Sequence, residues 1–207
     1  MTELEAVNML LAVIGEAPVD KLADTVDNEI TDASLARKTL KEVKRDVLAE
    51  GWGWNTDYAV KLTPDSNDEY VLDASFLKVI FWPTMYPNME YVARGLKVYD
   101  RNARKFDFGD QVKQLTISQV VVDLEWSLIP HPAHQYIAIR AARIYADRFV
   151  NSNAIYAYTV QDEEYARAML VRAEETEGDN NLLWGNSLGA GQGLGYLPMQ
   201  GLRYRSN

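Results

Sequence analysis

Near the start of the chain, apolar residues recur at spacings of three and four, at Leu4, Val7, Leu11 and Ile14. That period predicts a helix with one buried face. Thr2 ahead of Glu5 makes a capping-box pattern, Gly15 supplies a C-terminal stop, and Pro18 keeps the helix from resuming. Residues 20–32 are rich in aspartate and read as a loop. A second helix then carries Ala36, Leu40, Val43 and Val47 on one face, with Lys38, Lys41, Lys44 and Arg45 around the others. At about 1.5 Å per residue it spans roughly 30 Å before Gly51 ends it.

From Trp54 the period changes from 3.6 to 2, as Tyr58, Val60 and Leu62 alternate with Ala59 and Lys61 ahead of a Pro64-Asp65-Ser66-Asn67 turn. Further strands are predicted over residues 69–72, 76–82, 90–93, 96–100 and 114–122. Arg94-Gly95 forms the tight connection between two of them, because glycine accepts the positive φ that such turns often require. The middle of the chain therefore reads as a small antiparallel β region.

Helical signals return after Pro130-His131-Pro132, since proline is tolerated in a first turn. Ile137, Ala141, Ile144 and Tyr145 form the buried stripe of a third helix. A fourth is expected over residues 159–177, with Ala166, Met169, Leu170 and Ala173 on its apolar side and Gly178-Asp179-Asn180 closing it. The expected class is α+β: a discontinuous four-helix bundle from residues 1–53 and 130–180, a β insertion over 54–129, and an extended C-terminal arm over 181–207.

The arm differs in kind from the rest. Seven of the last thirty residues are glycine, yet Leu182, Leu183, Trp184, Leu197 and Tyr204 are large and apolar. A plain flexible linker would lack such groups. The arm is therefore expected to order against another surface, with Trp184, Leu197 and Tyr204 as anchors and Arg203 and Arg205 as a basic tip for an acidic groove on a partner.

Composition narrows the function classes. The 207 residues include no cysteine, which removes disulfide frameworks, thiolate zinc sites and cysteine nucleophiles. The net charge of -9 argues against gripping the nucleic-acid backbone, which needs lysine and arginine to displace counterions. DNA as a passenger is still compatible, because an acidic wall lets a duplex slide past. Apolar stretches such as 9–14 and 76–82 fall short of the roughly 20 residues a membrane helix needs, and Glu3 and Glu5 stand where a signal peptide would be basic.

Several phrases taken in order resemble one family. They are LEAVNMLLAVIGEAPVDKL and ASLARKTLKEVKRDVLAEGWGWNT within residues 4–56, YVARGLKVYDR from 91 to 101, LEWSLIPHPAHQYIAIRAARIYADRFVNS from 124 to 152, and QDEEYARAML in the last helix. Their order and spacing resemble the tail tubular protein A family of short-tailed podovirus and autographivirus bacteriophages. The resemblance implies a structural head-to-tail adaptor assembled in the host cytoplasm into the virion tail. It implies a ring of identical subunits, a dodecamer, beneath the portal protein and above a nozzle similar to tail tubular protein B. Tail fibres would attach at its outer side and DNA would pass through it. No enzyme activity and no cofactor are implied.

His131 and His134 lie three apart at a helix start, but a zinc site needs at least a third protein ligand, so capping and exposure are expected instead. Asp107 with Asp110 and Glu163 with Glu164 are neighbouring carboxylates of the kind a tail-associated polysaccharide hydrolase would need, the leading alternative function. A solvated helix face is the competing reading for the glutamates. The alternating Gly189, Gly191, Gly193 and Gly195 do not make a nucleotide-binding loop, and no serine has a histidine-acid partner at a recognisable elbow. A monomeric assembly chaperone is a third function class.

Three surfaces carry the structural reading. Lys38, Lys41, Lys44 and Arg45 are expected at subunit contacts, where helix charges meet complementary ones on a neighbour. The proline-flanked aromatic loop 82–89, with Trp82, Tyr86 and Met89, is expected to meet a fibre or the nozzle. The arm is the third. Trp52 and Trp54 are expected to cement the junction between the second helix and the β region.

Overall fold

The computed structural model describes residues 1–22, 31–81, 90–109, 114–149 and 160–177, with only the backbone at Phe149 and Glu177. The class is α+β: helices α1 (Glu3–Val13) and α2 (Asp32–Ala49), strands β1 (Thr56–Leu62), β2 (Phe76–Phe81), β3 (Tyr91–Arg94), β4 (Lys97–Asp100) and β5 (Leu115–Val122), then helices α3 (His131–Phe149) and α4 (Val160–Glu177).

The helix ends follow the sequence signals closely. The Thr2 hydroxyl accepts from the Glu5 amide at 3.1 Å while the Glu5 carboxylate accepts from the Thr2 amide at 2.8 Å, so both orphan donors are satisfied. At the other end Gly15 takes φ +81, and the Glu16 amide returns to Leu11 O at 3.1 Å. The buried side of α1 is wider than its predicted stripe. Ala6, Val7, Leu10, Leu11 and Val13 are buried, whereas Leu4 and Ile14 are half-buried. Asn8 then ties the chain after the proline back onto α1, donating to Val19 O at 3.0 Å and accepting from Val19 N at 2.9 Å.

One core joins all four helices: Leu10 of α1, Leu40 and Val47 of α2, Ile137 and Tyr145 of α3, and Leu170 of α4 belong to it. The alanines 133, 138, 141 and 142 are all buried, and α3 packs against each of the other three helices. Small side chains let neighbours approach from several sides at once. By contrast α4 commits only Ala166 and Leu170 fully to the core. Met169, expected on its apolar side, is 42% exposed. It lies about 100° round the helix from Leu170, turned away from the position that packs on the core.

The β region forms a three-stranded antiparallel sheet in the order β1-β5-β2 and a two-stranded β3-β4 hairpin. Gly95 turns the hairpin at φ +61, as Arg94-Gly95 predicts. Central β5 is buried along most of its length, and its Leu115, Ile117 and Val120 join Tyr70, Leu72, Val98 and Phe108 in a second core. Residues 69–72 are not a continuous strand. They form isolated bridges, Glu69 to Asp107 and Val71 to Lys97. The Asp65 carboxylate holds the Asn67 and Glu69 amides at 2.8 and 3.0 Å, and Asp68 takes φ +59, so the segment arrives from a tight turn rather than in register. The alternation predicted for β1 also breaks. Ala59 takes φ +54, and Tyr58 is exposed while Val60 and Leu62 are half-buried.

Candidate functional site

The four basic residues expected at subunit contacts divide into two groups. Lys38, Lys41 and Arg45 recur at spacings of three and four on the face of α2 opposite its core residues, and all three are exposed. Lys44 instead turns inward. Its ammonium donates to Leu124 O at 2.7 Å and lies 2.8 Å from Asp123 Oδ1, an ion pair off the line of a hydrogen bond. Its side chain keeps only 15% exposure, so Lys44 ties α2 to the end of β5.

Other charges of α2 are also engaged within the chain. Arg37 pairs with Glu3 of α1 at 2.8 Å, and Glu42 accepts from Arg148 of α3 at 2.9 and 3.2 Å. That guanidinium holds the Glu42 carboxyl below its ordinary value, with help from Lys38. Lys41 and Arg45 make no ion pair among the described residues. With Lys38 they edge an open groove of about 510 Å³ that Trp126 and Glu125 also line.

A polar seam seats α4. Arg167 reaches Glu50 with two nitrogens, at 3.0 and 2.8 Å, and Tyr136 Oη with one of them at 3.0 Å. Arg140 donates to the same Tyr136 oxygen at 2.9 Å. Arg143 donates to Glu163 Oε2 at 2.5 Å, with Arg140 Nε 3.7 Å from the other oxygen. Glu163 is therefore no solvated residue. Its side chain is 15% exposed because the helix turn that carries it faces Arg140 and Arg143 of α3, whereas Glu164 is exposed as expected. Glu163 is bound to guanidiniums rather than aimed into a cleft beside Glu164. Asp107 accepts from the Gly109 amide at 2.7 Å, and Asp110 lies outside the described residues.

The two histidines separate as well. His131 is exposed. His134, expected to be exposed, is buried: its ring stacks on Trp126 at 4.5 Å and its Nε2 lies 2.7 Å from Trp126 O. A turn at Trp126–Leu128 folds the tryptophan back over the first turn of α3, which the prolines alone did not reveal. Burial lowers the proton affinity of His134 below its ordinary value. No group of three histidines or carboxylates suited to a metal occurs among the described residues.

At the exit from α2, Trp52 is buried and donates to Val47 O at 2.9 Å, with the Trp54 ring stacked on it at 6.5 Å. The residue that sequence reasoning missed here is Asn55. Its side chain donates to Leu48 O at 2.9 Å and to Val122 O at 3.1 Å and accepts from Trp52 N at 2.7 Å. One amide thus joins the end of α2 to the end of β5. Glu174 of α4 accepts from Gly53 N at 2.5 Å beside it.

Trp82, Tyr86 and Met89 lie outside the described residues, as do Trp184, Leu197, Arg203, Tyr204 and Arg205. Phe81 and Tyr91, which flank residues 82–89, pack on each other at 5.9 Å, and Tyr91 continues to Phe108 at 5.5 Å.

Over residues 4–180 the chain matches the family model of the tail tubular protein. The chain belongs to the tail tubular protein family of podoviruses. No curated protein matches it. As a tail tubular protein it is a structural component of the bacteriophage virion tail. The matched span runs from the second residue of α1 past the end of α4 and includes every described element.

Proposed function

We propose that this tail tubular protein is the head-to-tail adaptor, the A type of its family. Identical subunits form a ring, a dodecamer in the virion, between the portal protein and a nozzle of the tail tubular protein B type. The ring continues the DNA channel and carries tail fibres on its outer side. The family match over residues 4–180 carries this reading. The exposed basic row Lys38, Lys41 and Arg45 supports it, because a row of one sign on an acidic chain suits contact with a partner of opposite sign.

In the same proposal, residues 1–53 and 130–180 form the helical bundle unit and 54–129 the β unit. The loop bearing Trp82, Tyr86 and Met89 meets fibre or nozzle. The arm, through Trp184, Leu197, Arg203, Tyr204 and Arg205, docks on portal or on the adjacent adaptor. Assembly takes place in the host cytoplasm, and DNA is a non-specific passenger repelled by an acidic wall.

The test is mass photometry of the protein with and without portal, together with negative-stain images. A closed ring that binds portal supports the adaptor. Monomers that neither close nor bind portal, under any salt condition, overturn it.

A further inference from the structure

The seam that seats α4 leaves a second row of charges facing outward. Glu164, Ala168, Val171 and Glu175 follow one another at spacings of four, three and four, so they lie in a line along the helix. All four are exposed. This line is offset from Ala166 and Leu170, which pack on the core, and from Glu163, which faces the arginines of α3. Glu164 and Glu175 make no ion pair among the described residues. Val171 is 38% exposed, and Val160 at the start of the helix is 58% exposed. The row is thus acidic at both ends, with a small and a medium apolar residue between.

Its counterpart in sign lies on a different helix. Lys38, Lys41 and Arg45 stand on the outer face of α2, above the groove that Trp126 lines. The α2 segment carries five basic and three acidic residues, whereas α4 carries six acidic and two basic. The two rows cannot satisfy each other within one subunit. α4 packs on α3 and forms an ion pair to the end of α2, Arg167 with Glu50, while Lys38, Lys41 and Arg45 stay exposed on the outer face of α2.

We propose that the Glu164–Glu175 row of α4 on one subunit docks along the Lys38–Arg45 row of α2 on the next copy. This rests on the ring reading above and gives it a register. Glu164 and Glu175 meet the ammonium and guanidinium groups of Lys38, Lys41 and Arg45, and the small Ala168 lets the helices approach. Val171 is covered by the groove beside Trp126. The contact is heterologous, because the donating and receiving patches differ, and such contacts build rings when the rotation closes. Its charges are solvent-accessible before docking, so association weakens as salt rises.

The test uses charge reversal in both patches of the full chain. Lys41→Glu with Arg45→Glu places acid against acid, and Glu164→Lys with Glu175→Lys places base against base. Each double variant is expected to lose assembly, with an association constant reduced at least about tenfold. An equimolar mixture of the two, and the chain carrying all four changes, are expected to regain it. A second readout exploits the absence of cysteine. Lys41→Cys combined with Ala168→Cys, treated with a short bismaleimide, is expected to give a ladder of linked subunits, with neither single variant doing so.

A wild type that forms rings while the reversed variants assemble unchanged, or rings that give no ladder, overturns this contact and leaves the ring standing. A wild type that stays monomeric with and without portal overturns both.

Discussion

Arg167 of α4 grips Glu50 at the end of α2 through two nitrogens, at 3.0 and 2.8 Å, while sharing a third bond with the Tyr136 hydroxyl of α3. One side chain therefore spans three helices. The Glu50 carboxylate first, and Tyr136 second, raise the proton affinity of the guanidinium above its ordinary value. Because α4 buries little apolar surface of its own, its attachment depends on this polar contact more than that of α1 does.

Arg167→Ala is expected to loosen α4 without unfolding the rest. Both partners are partly solvated, so the loss is about 0.5–1 kcal/mol. Hydrogen exchange should show faster exchange at α4 amides and little change in α2. Uniform acceleration across all helices would mean that α4 does not open as a unit.

Asn55 offers a sharper test of the junction. Asn55→Ala removes the side-chain partner of the Trp52 amide and the Val122 carbonyl, and leaves Leu48 O with only the Gly51 amide at 3.1 Å. The expected loss is about 2–3 kcal/mol by urea denaturation, because unpaired buried groups carry their full desolvation cost. Asn55→Asp should be no better than alanine near neutral pH. It keeps the acceptor for Trp52 but sets a carboxylate against two carbonyl oxygens.

How much of this was legible depends on where a residue's partner lies. Thr2 and Glu5, Gly15 and Gly95 could be read directly because each acts within a few residues of itself. Asn55 and Asn8 could not, since an asparagine after tryptophan or inside a helix gives no sign of a carbonyl many residues away. Met169 misleads for another reason. Hydrophobic period finds apolar positions, but only the number of neighbours decides which flank is covered, and α4 packs chiefly on α3. Lys44 shows the same limit among charges. Beside Arg45 it reads as one more exposed cation, and only the return of β5 brings Asp123 under it.

His134 should give the fold an acid-sensitive limb. Burial depresses its folded pKa below the unfolded value, so the unfolded chain binds the proton more tightly. Its contribution is fully present above the ordinary histidine pKa near 6.5 and falls away as pH drops through the lower folded value. His134→Gln is expected to be less stable at pH 7, because the stack on Trp126 is lost, yet to show a flatter decline between pH 6.5 and 5. Urea midpoints across that range check it. An unchanged slope would assign the acid limb to another group.

Tyr145 gives the opposite limb. Its hydroxyl donates to Asp32 O at 3.0 Å, and burial, reinforced by Asp32 and Glu16, pushes its pKa up to about 12. Stability from the protonated phenol is present below the ordinary value near 10 and is lost as pH rises through about 12. Tyr145→Phe is expected to cost about 1 kcal/mol at neutral pH and to lose less stability between pH 10 and 12 than the wild type. Equal alkaline loss in both proteins would show that this phenol is not the group responsible.

Lys41 and Lys44 differ by one helical turn in sequence and by their partners in space, which separates assembly from folding. Lys41→Glu changes an exposed residue without an ion pair among the described residues, and is expected to leave thermal stability within about 0.5 kcal/mol while weakening association between subunits. Lys44→Glu puts a carboxylate beside Asp123 and against the Leu124 carbonyl, where the ammonium now sits. Leaving one charge of a half-buried pair facing its own sign costs about 3 kcal/mol or more, so the monomer itself should lose stability. Circular dichroism melting and sedimentation of the two variants at matched salt separate the effects. Equal melting temperatures would remove Lys44 from the internal framework and return it to the exposed row, and a lower melting temperature for Lys41→Glu would mean that the row supports the fold as well as the contact.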